Sequence, residues 1–252
     1  MVGMSSTPAV DPLAPSAVAN SVASLRRIPT TGYALWAVLR RDPARPLELD
    51  EREERESVDQ LDRAILEVES SGATLRGIYD VSSIRADADV MIWLHGSQAE
   101  TLQWALRVLR RTAVLSRLLP TWNALGVHRD AEFSANHVPS FMRGLAPAQW
   151  LTVYPFVRSY DWYLLPEGER RAMLAEHGRR GSAFRSVLTN TVASFALSDY
   201  EWILALEDDE LTNLVDLMRD LRATGARMYV REEVPFFTGR RIDTSEIIEV
   251  VR

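Results

Sequence analysis

The chain has 252 residues, 46% of them hydrophobic and 25% charged, with a formal net charge of -6, the make-up of an ordinary soluble globular protein with one large domain or two small ones. The acidic balance argues against general nucleic-acid binding, which depends on a basic surface. The absence of cysteine removes disulfides, iron–sulfur clusters, thiolate ligation of iron and cysteine nucleophiles together, so any protein-bound iron or zinc must use His, Tyr or carboxylates.

Residues 1–30 are rich in Ala, Ser, Val and Pro and lack a compact apolar region. They read as a flexible tail of a cytoplasmic protein, not as a signal peptide. No stretch approaches the roughly 20 apolar residues of a membrane span. Residues 32–41 (GYALWAVLRR) predict a strand. A charged helix follows over 47–70, with Val58, Leu61, Ile65 and Val68 as its apolar stripe and EREERE as its solvated face. Gly72 ends it. Strands are expected over 74–81 and 89–95. Ser97, with Glu100 three residues on, reads as a capping box for a helix striped by Leu102, Leu106, Leu109 and Ala113. Pro120 breaks that helix, and 121–128 closes the unit as a strand.

The second half repeats the order. A strand over 151–158 leads to a helix over 167–177, then strands near 187–197 and 201–206, a helix over 209–222 and a strand over 226–231. ADVMIWLHGSQAETLQWALRVLRR and SDYEWILALEDDELTNLVDLMRDLR share an aromatic-bearing strand, an acidic turn and a Leu-rich helix. Such a repeat without a long spacer predicts an α+β fold of two ferredoxin-like halves. The halves would span 31–128 and 149–252, joined by a connector over 129–148.

The stretch LTVYPFVRSYDWYLLPEGERRAMLAEHGRRG, residues 151–181, carries most of the candidate chemistry. Strand alternation places Thr152, Tyr154, Phe156 and Arg158 on one face. Pro166 suits a first helical position, Met173 and His177 share a helix face four residues apart, and Gly178 marks a helix stop. A tyrosine, a cation and an imidazole from adjacent elements suit a flat, anionic, metal-bearing ligand. Residue types alone leave a plainer reading open, of a half-buried tyrosine, a surface arginine and a satisfied histidine. His95 and His128 read as ordinary polar residues, and His137 lies in the connector, where functional residues concentrate. The run Glu207, Asp208, Asp209, Glu210 reads as negative charge at a helix N-terminus.

The segments YPFVRS (154–159), DWYLLP (161–166), RRAMLAEHGRRG (170–181), SDYEW (198–202) and ARMYVREEVPFFTGR (226–240) resemble the actinobacterial branch of the coproheme decarboxylases, within the chlorite-dismutase-like family. That resemblance implies a dimeric α+β barrel of two ferredoxin-like halves. It also implies hydrogen-peroxide-dependent conversion of two propionates of iron-coproporphyrin III (coproheme) to vinyl groups through a tyrosyl radical, giving haem b. Coproheme would be substrate and redox cofactor at once. Tyr154 is implied as the catalytic tyrosine, His177 as the iron ligand, His137 as the distal histidine and Trp162 as a tryptophan near the second propionate. Arg158, Arg219 and Thr224 would meet propionates. No counterpart of the distal arginine of chlorite dismutases is evident. A homopentamer and transient contact with ferrochelatase are further expectations. A haem carrier or sensor without turnover, and chlorite dismutation, stand as alternatives.

Overall fold

Strand β1 (Thr31–Arg40) is buried along nearly its whole length, so a layer must cover each of its faces. Leu35 and Leu39 belong to one cluster, packed against helices, while Ala34, Trp36 and Val38 belong to another that holds residues from both ends of the chain. The computed structural model describes residues 31–129 and 138–252. The tail expected over 1–30 and His137 lie outside the described residues.

After β1 come α1 (Glu51–Ser70), β2 (Ala73–Asp80), β3 (Val90–Gly96), α2 (Ala99–Leu109) and β4 (Leu119–Arg129). The strands lie antiparallel in the order β4-β1-β3-β2. The rest of the chain gives β5 (Trp150–Arg158), α3 (Glu167–Gly181), β6 (Leu188–Ala193), β7 (Trp202–Asp208), α4 (Leu211–Leu221), β8 (Val230–Glu232), β9 (Phe237–Ile242) and α5 (Ile247–Val251). Here β9-β5-β7-β6 repeats the first order. Pairing of β2 with β9 and of β4 with β6 closes the two rows into a ring, leaving only the short β8 outside it. This is the α+β arrangement of two ferredoxin-like halves that the repeat implies.

Both seams of the ring run close to glycines. A Cβ at Gly239 in β9 would stand 2.6 Å from Val81 Cγ1 and 2.7 Å from the Asp80 carbonyl oxygen, and one at Gly126 in β4 would clash with Val192. Only glycine permits these approaches. Trp36, Trp93, Tyr79, Leu151, Val153 and Phe237 fill the ring. The first half's outer face is covered by α1, α2 and α5, and the second half's by α4.

Several local expectations change. Helix α1 starts at Glu51, because Asp50 accepts from the Arg52 and Glu53 amides at 2.8 and 2.9 Å while Glu53 accepts from the Asp50 amide at 2.9 Å; this capping box fixes the start. Ser97 is no cap. Helix α2 begins one residue later behind Gln98, with no side-chain cap, and buries Leu102, Ala105 and Leu109 instead of the Leu106 and Ala113 edge. Helix α3 runs through Gly178 to Gly181, helped by Arg180, whose guanidinium donates to Asp220 at 2.9 Å. The strand expected over 226–231 is a 3-10 helix, Gly225–Tyr229, followed by β8. The fourth strand of the second half is instead β9.

Glu207 departs furthest from its expected role. It is fully buried, and the Arg76 Nε atom donates to both its carboxylate oxygens at 3.0 Å. Asn190 donates to Glu207 at 2.9 Å and Arg76 also donates to the Leu145 carbonyl at 2.9 Å. The pair therefore ties β2 of the first half to β7 of the second inside the ring. Asp208 keeps the helix-start role, accepting from the Glu210 amide and Asn213 at 2.9 Å each. Removing one partner strands a buried charge. Glu207→Ala should cost about 3–5 kcal/mol in urea unfolding, and a loss below about 1 kcal/mol would show that the ion pair does not hold the halves together.

Candidate functional site

Strand β5 passes along the inside of the second half and sends alternate side chains outward, beneath α4. Tyr154 is one of these. It is 3% exposed, its ring stacks on Phe236 with centroids 4.4 Å apart, and its hydroxyl donates to the Met218 sulfur at 3.4 Å. Burial raises its pKa well above the ordinary phenol value, nearby Glu233 adds to the rise, and Arg222 and Arg227 oppose it. The phenol therefore stays protonated at neutral pH.

Two residues further along the same face from Phe156, Arg158 lies over the Phe156 ring at 4.9 Å and over Trp162 at 4.1 Å. These are cation–π distances. Trp162 opens a 3-10 turn, Trp162–Leu164, and is buried. Glu201 accepts from the Arg158 amide at 2.9 Å and from the Tyr163 hydroxyl at 2.8 Å, locking this corner. Burial lowers Arg158 from its usual value, while Tyr163, Glu201 and Glu233 pull the other way. A guanidinium remains charged in such surroundings.

Helix α3 supplies the imidazole. It buries no residue fully, and Arg170, Met173, Glu176, His177 and Arg180 form its half-buried side. A helix with so little packing of its own leans on something else for its place. The His177 Nδ1 atom is 3.4 Å from Thr224 Oγ1, and that hydroxyl donates to the Leu221 carbonyl at 2.9 Å. The Thr224 oxygen is therefore left to accept, which puts the ring proton on Nδ1 and a free lone pair on Nε2. Burial, then Arg158, lowers the His177 pKa, so the ring is neutral at neutral pH.

Tyr154, Arg158, His177 and Thr224 line one cleft together with Met218, Arg222, Arg227 and Glu233, with a cavity volume of about 50 Å³. Sequence reasoning missed Arg222, Arg227 and Glu233. Trp162 backs the cleft through Arg158 and does not line it. Arg219 does not line it either; it stands on the solvent side of α4, 4.0 Å from Asp216. His137 is outside the described residues. His95 is set against Phe141 at 5.0 Å, and burial followed by Arg76 lowers its pKa to about 4. It serves as a neutral packing residue, and His128 is buried.

Among the described residues no three His, Asp or Glu side chains gather as a metal cage. A metal ion reaching Nε2 of His177 must bring most of its ligands with it, as an iron porphyrin does. Three guanidiniums around a protonated phenol and a neutral imidazole suit such a macrocycle when it carries carboxylates. The donor set thus fits an anionic iron tetrapyrrole.

Fold and cleft together define a closed α+β ring protein with a histidine-bearing helix on the outside of its second half. The family model for chlorite dismutase matches residues 54–242. The chain is 48% identical over 220 residues to the coproheme decarboxylase of Mycolicibacterium smegmatis, covering 87% of this chain and 94% of that one. It superposes on the chlorite dismutase of Candidatus Nitrospira defluvii in complex with imidazole with a TM-score of 0.75 at 19% identity, over 88% of this chain and 95% of that one. For a mutant chlorite dismutase from the same organism the TM-score is 0.76 at 20% identity, over 88% and 96% of the two chains. This chain belongs to the chlorite dismutase family.

Proposed function

We propose that this chain is a peroxide-dependent coproheme decarboxylase, converting two propionates of iron-coproporphyrin III to vinyl groups and giving haem b. The observation that carries this is the meeting of a protonated buried tyrosine, a neutral histidine and a cluster of guanidiniums in one cleft. The likeness over 94% of the Mycolicibacterium smegmatis coproheme decarboxylase supports it. Each propionate loses two electrons and CO2, and one hydrogen peroxide is reduced to water. The iron of the bound substrate supplies the oxidising chemistry with peroxide.

The protein supplies position and proton control. His177 Nε2 would hold the iron, with Thr224 beside Nδ1 orienting the ring. Tyr154 gives up its hydrogen atom and retakes one from the β-carbon of the nearby propionate. His137 would take a proton from peroxide. Arg158 steadies a carboxylate and, lying over Trp162, keeps that indole beside the second propionate or the intermediate. Arg222 and Arg227 extend the cationic wall, whereas Arg219 would reach only a carboxylate projecting out of the cleft. No helix among the described residues is long and apolar enough to cross a membrane. A cytoplasmic homopentamer that receives its substrate through transient contact with ferrochelatase completes the proposal.

One cuvette tests it. Coproheme should shift its Soret band on titration with the protein, and peroxide should then convert it to haem b by mass spectrometry. Bound coproheme that survives peroxide unchanged would mark a carrier or sensor, and oxygen evolved from chlorite would mark a chlorite dismutase.

A further inference from the structure

Glu233 is out of keeping with a site for a polyanion. It follows directly after β8, which pairs with the end of β5. It lines the same cleft as Tyr154 and His177. Its side chain is only 15% exposed, and its Oε2 accepts from both Arg222 and Arg227, the latter at 2.5 Å. Neither arginine pairs with another carboxylate among the described residues. Two guanidiniums converging on one carboxylate oxygen is the arrangement a propionate would meet there.

We infer that Glu233 is an internal competitor for a substrate carboxylate: it holds the Arg222–Arg227 pair until an entering carboxylate displaces it. The inference rests on the tetrapyrrole reading of the cleft. A competitor of this kind keeps both guanidiniums aimed into the cleft and lowers the affinity of every carboxylate-bearing ligand. It thereby rejects ligands with too few carboxylates to displace it and hastens departure of the product. A plain structural clamp would do the opposite, because loosening the 222–233 segment weakens binding.

The sign of one substitution separates the two. Iron-free coproporphyrin III probes the carboxylate sites without the histidine–iron bond, and its tetramethyl ester is the uncharged control. Glu233→Gln should bind coproporphyrin about tenfold more tightly than the parent at low salt. The gap should shrink at about 0.5 M salt, and the ester should show no difference. Arg227→Gln should weaken coproporphyrin binding, and Glu233→Asp should stay near the parent. Equal or weaker binding by Glu233→Gln, with its unfolding midpoint unchanged or lowered, overturns the competitor. If the parent protein binds neither coproporphyrin nor coproheme, the tetrapyrrole reading falls and takes this inference with it. If the parent binds and Glu233→Gln is no tighter, only the inference falls.

Discussion

Tyr154→Phe is expected to bind coproheme as tightly as the parent protein and to release no CO2 when peroxide is added. The ring can stay stacked on Phe236, and the only hydrogen bond lost is the one to the Met218 sulfur at 3.4 Å, a weak acceptor. Fold and binding should therefore survive. The chemistry should not, because phenylalanine has no hydrogen atom that can be withdrawn and returned. Burial and Glu233 keep the phenol protonated, so in the proposed mechanism Tyr154 would give up its proton along with its electron. The decarboxylation rate should fall more than about a thousandfold, the scale of losing a group that takes part in the reacting step. Product analysis by mass spectrometry after single additions of peroxide reads this directly. Haem b formed at the parent rate would remove the tyrosine from the mechanism.

How much of this was legible follows from where each signal resides. Tyr154 and Arg158 were placed on one face by strand alternation alone, and Met173 with His177 by helical spacing, because both periods are local properties of the backbone. The two ferredoxin-like halves could be read because the repeat preserves the order of periods and breakers. Glu207 could not be read. Its run of acidic neighbours looks like a helix start, and only Arg76, 131 positions away, makes it a buried charge. Thr224 likewise meets His177 across 47 positions. Arg222 ends the helix expected over 209–222, Arg227 falls in the strand expected over 226–231 and Glu233 follows it, so no local period brings the three together. The strand expected over 226–231 overlaps the 3-10 turn Gly225–Tyr229, and the fourth strand of this half is β9 instead. Gly239 marks the seam where β9 approaches β2.

His177→Ala is expected to abolish the histidine–iron stretching band in the resonance Raman spectrum of the ferrous coproheme complex, while leaving the protein folded. Helix α3 buries none of its residues, so truncating a half-buried ring removes little packing. The bond to Thr224 at 3.4 Å is long and its loss is minor, and the Thr224 hydroxyl keeps its bond to Leu221. What is lost is the donor itself. With Nδ1 turned to Thr224 and with burial and Arg158 holding the ring neutral, Nε2 offers a lone pair at neutral pH, the form that binds iron. Removing an orienting partner of a metal-binding histidine already costs about 10–100-fold in affinity, so removing the ligand should weaken coproheme binding by about a hundredfold or more and stop turnover. Free imidazole admitted to the vacated space should restore the band and part of the activity. That rescue separates a missing ligand from a damaged cleft, because a cleft that had collapsed would take up neither imidazole nor coproheme. A band that survives the substitution unchanged would mean the iron is held by another residue, and the Thr224 contact would then be only the packing of a polar helix.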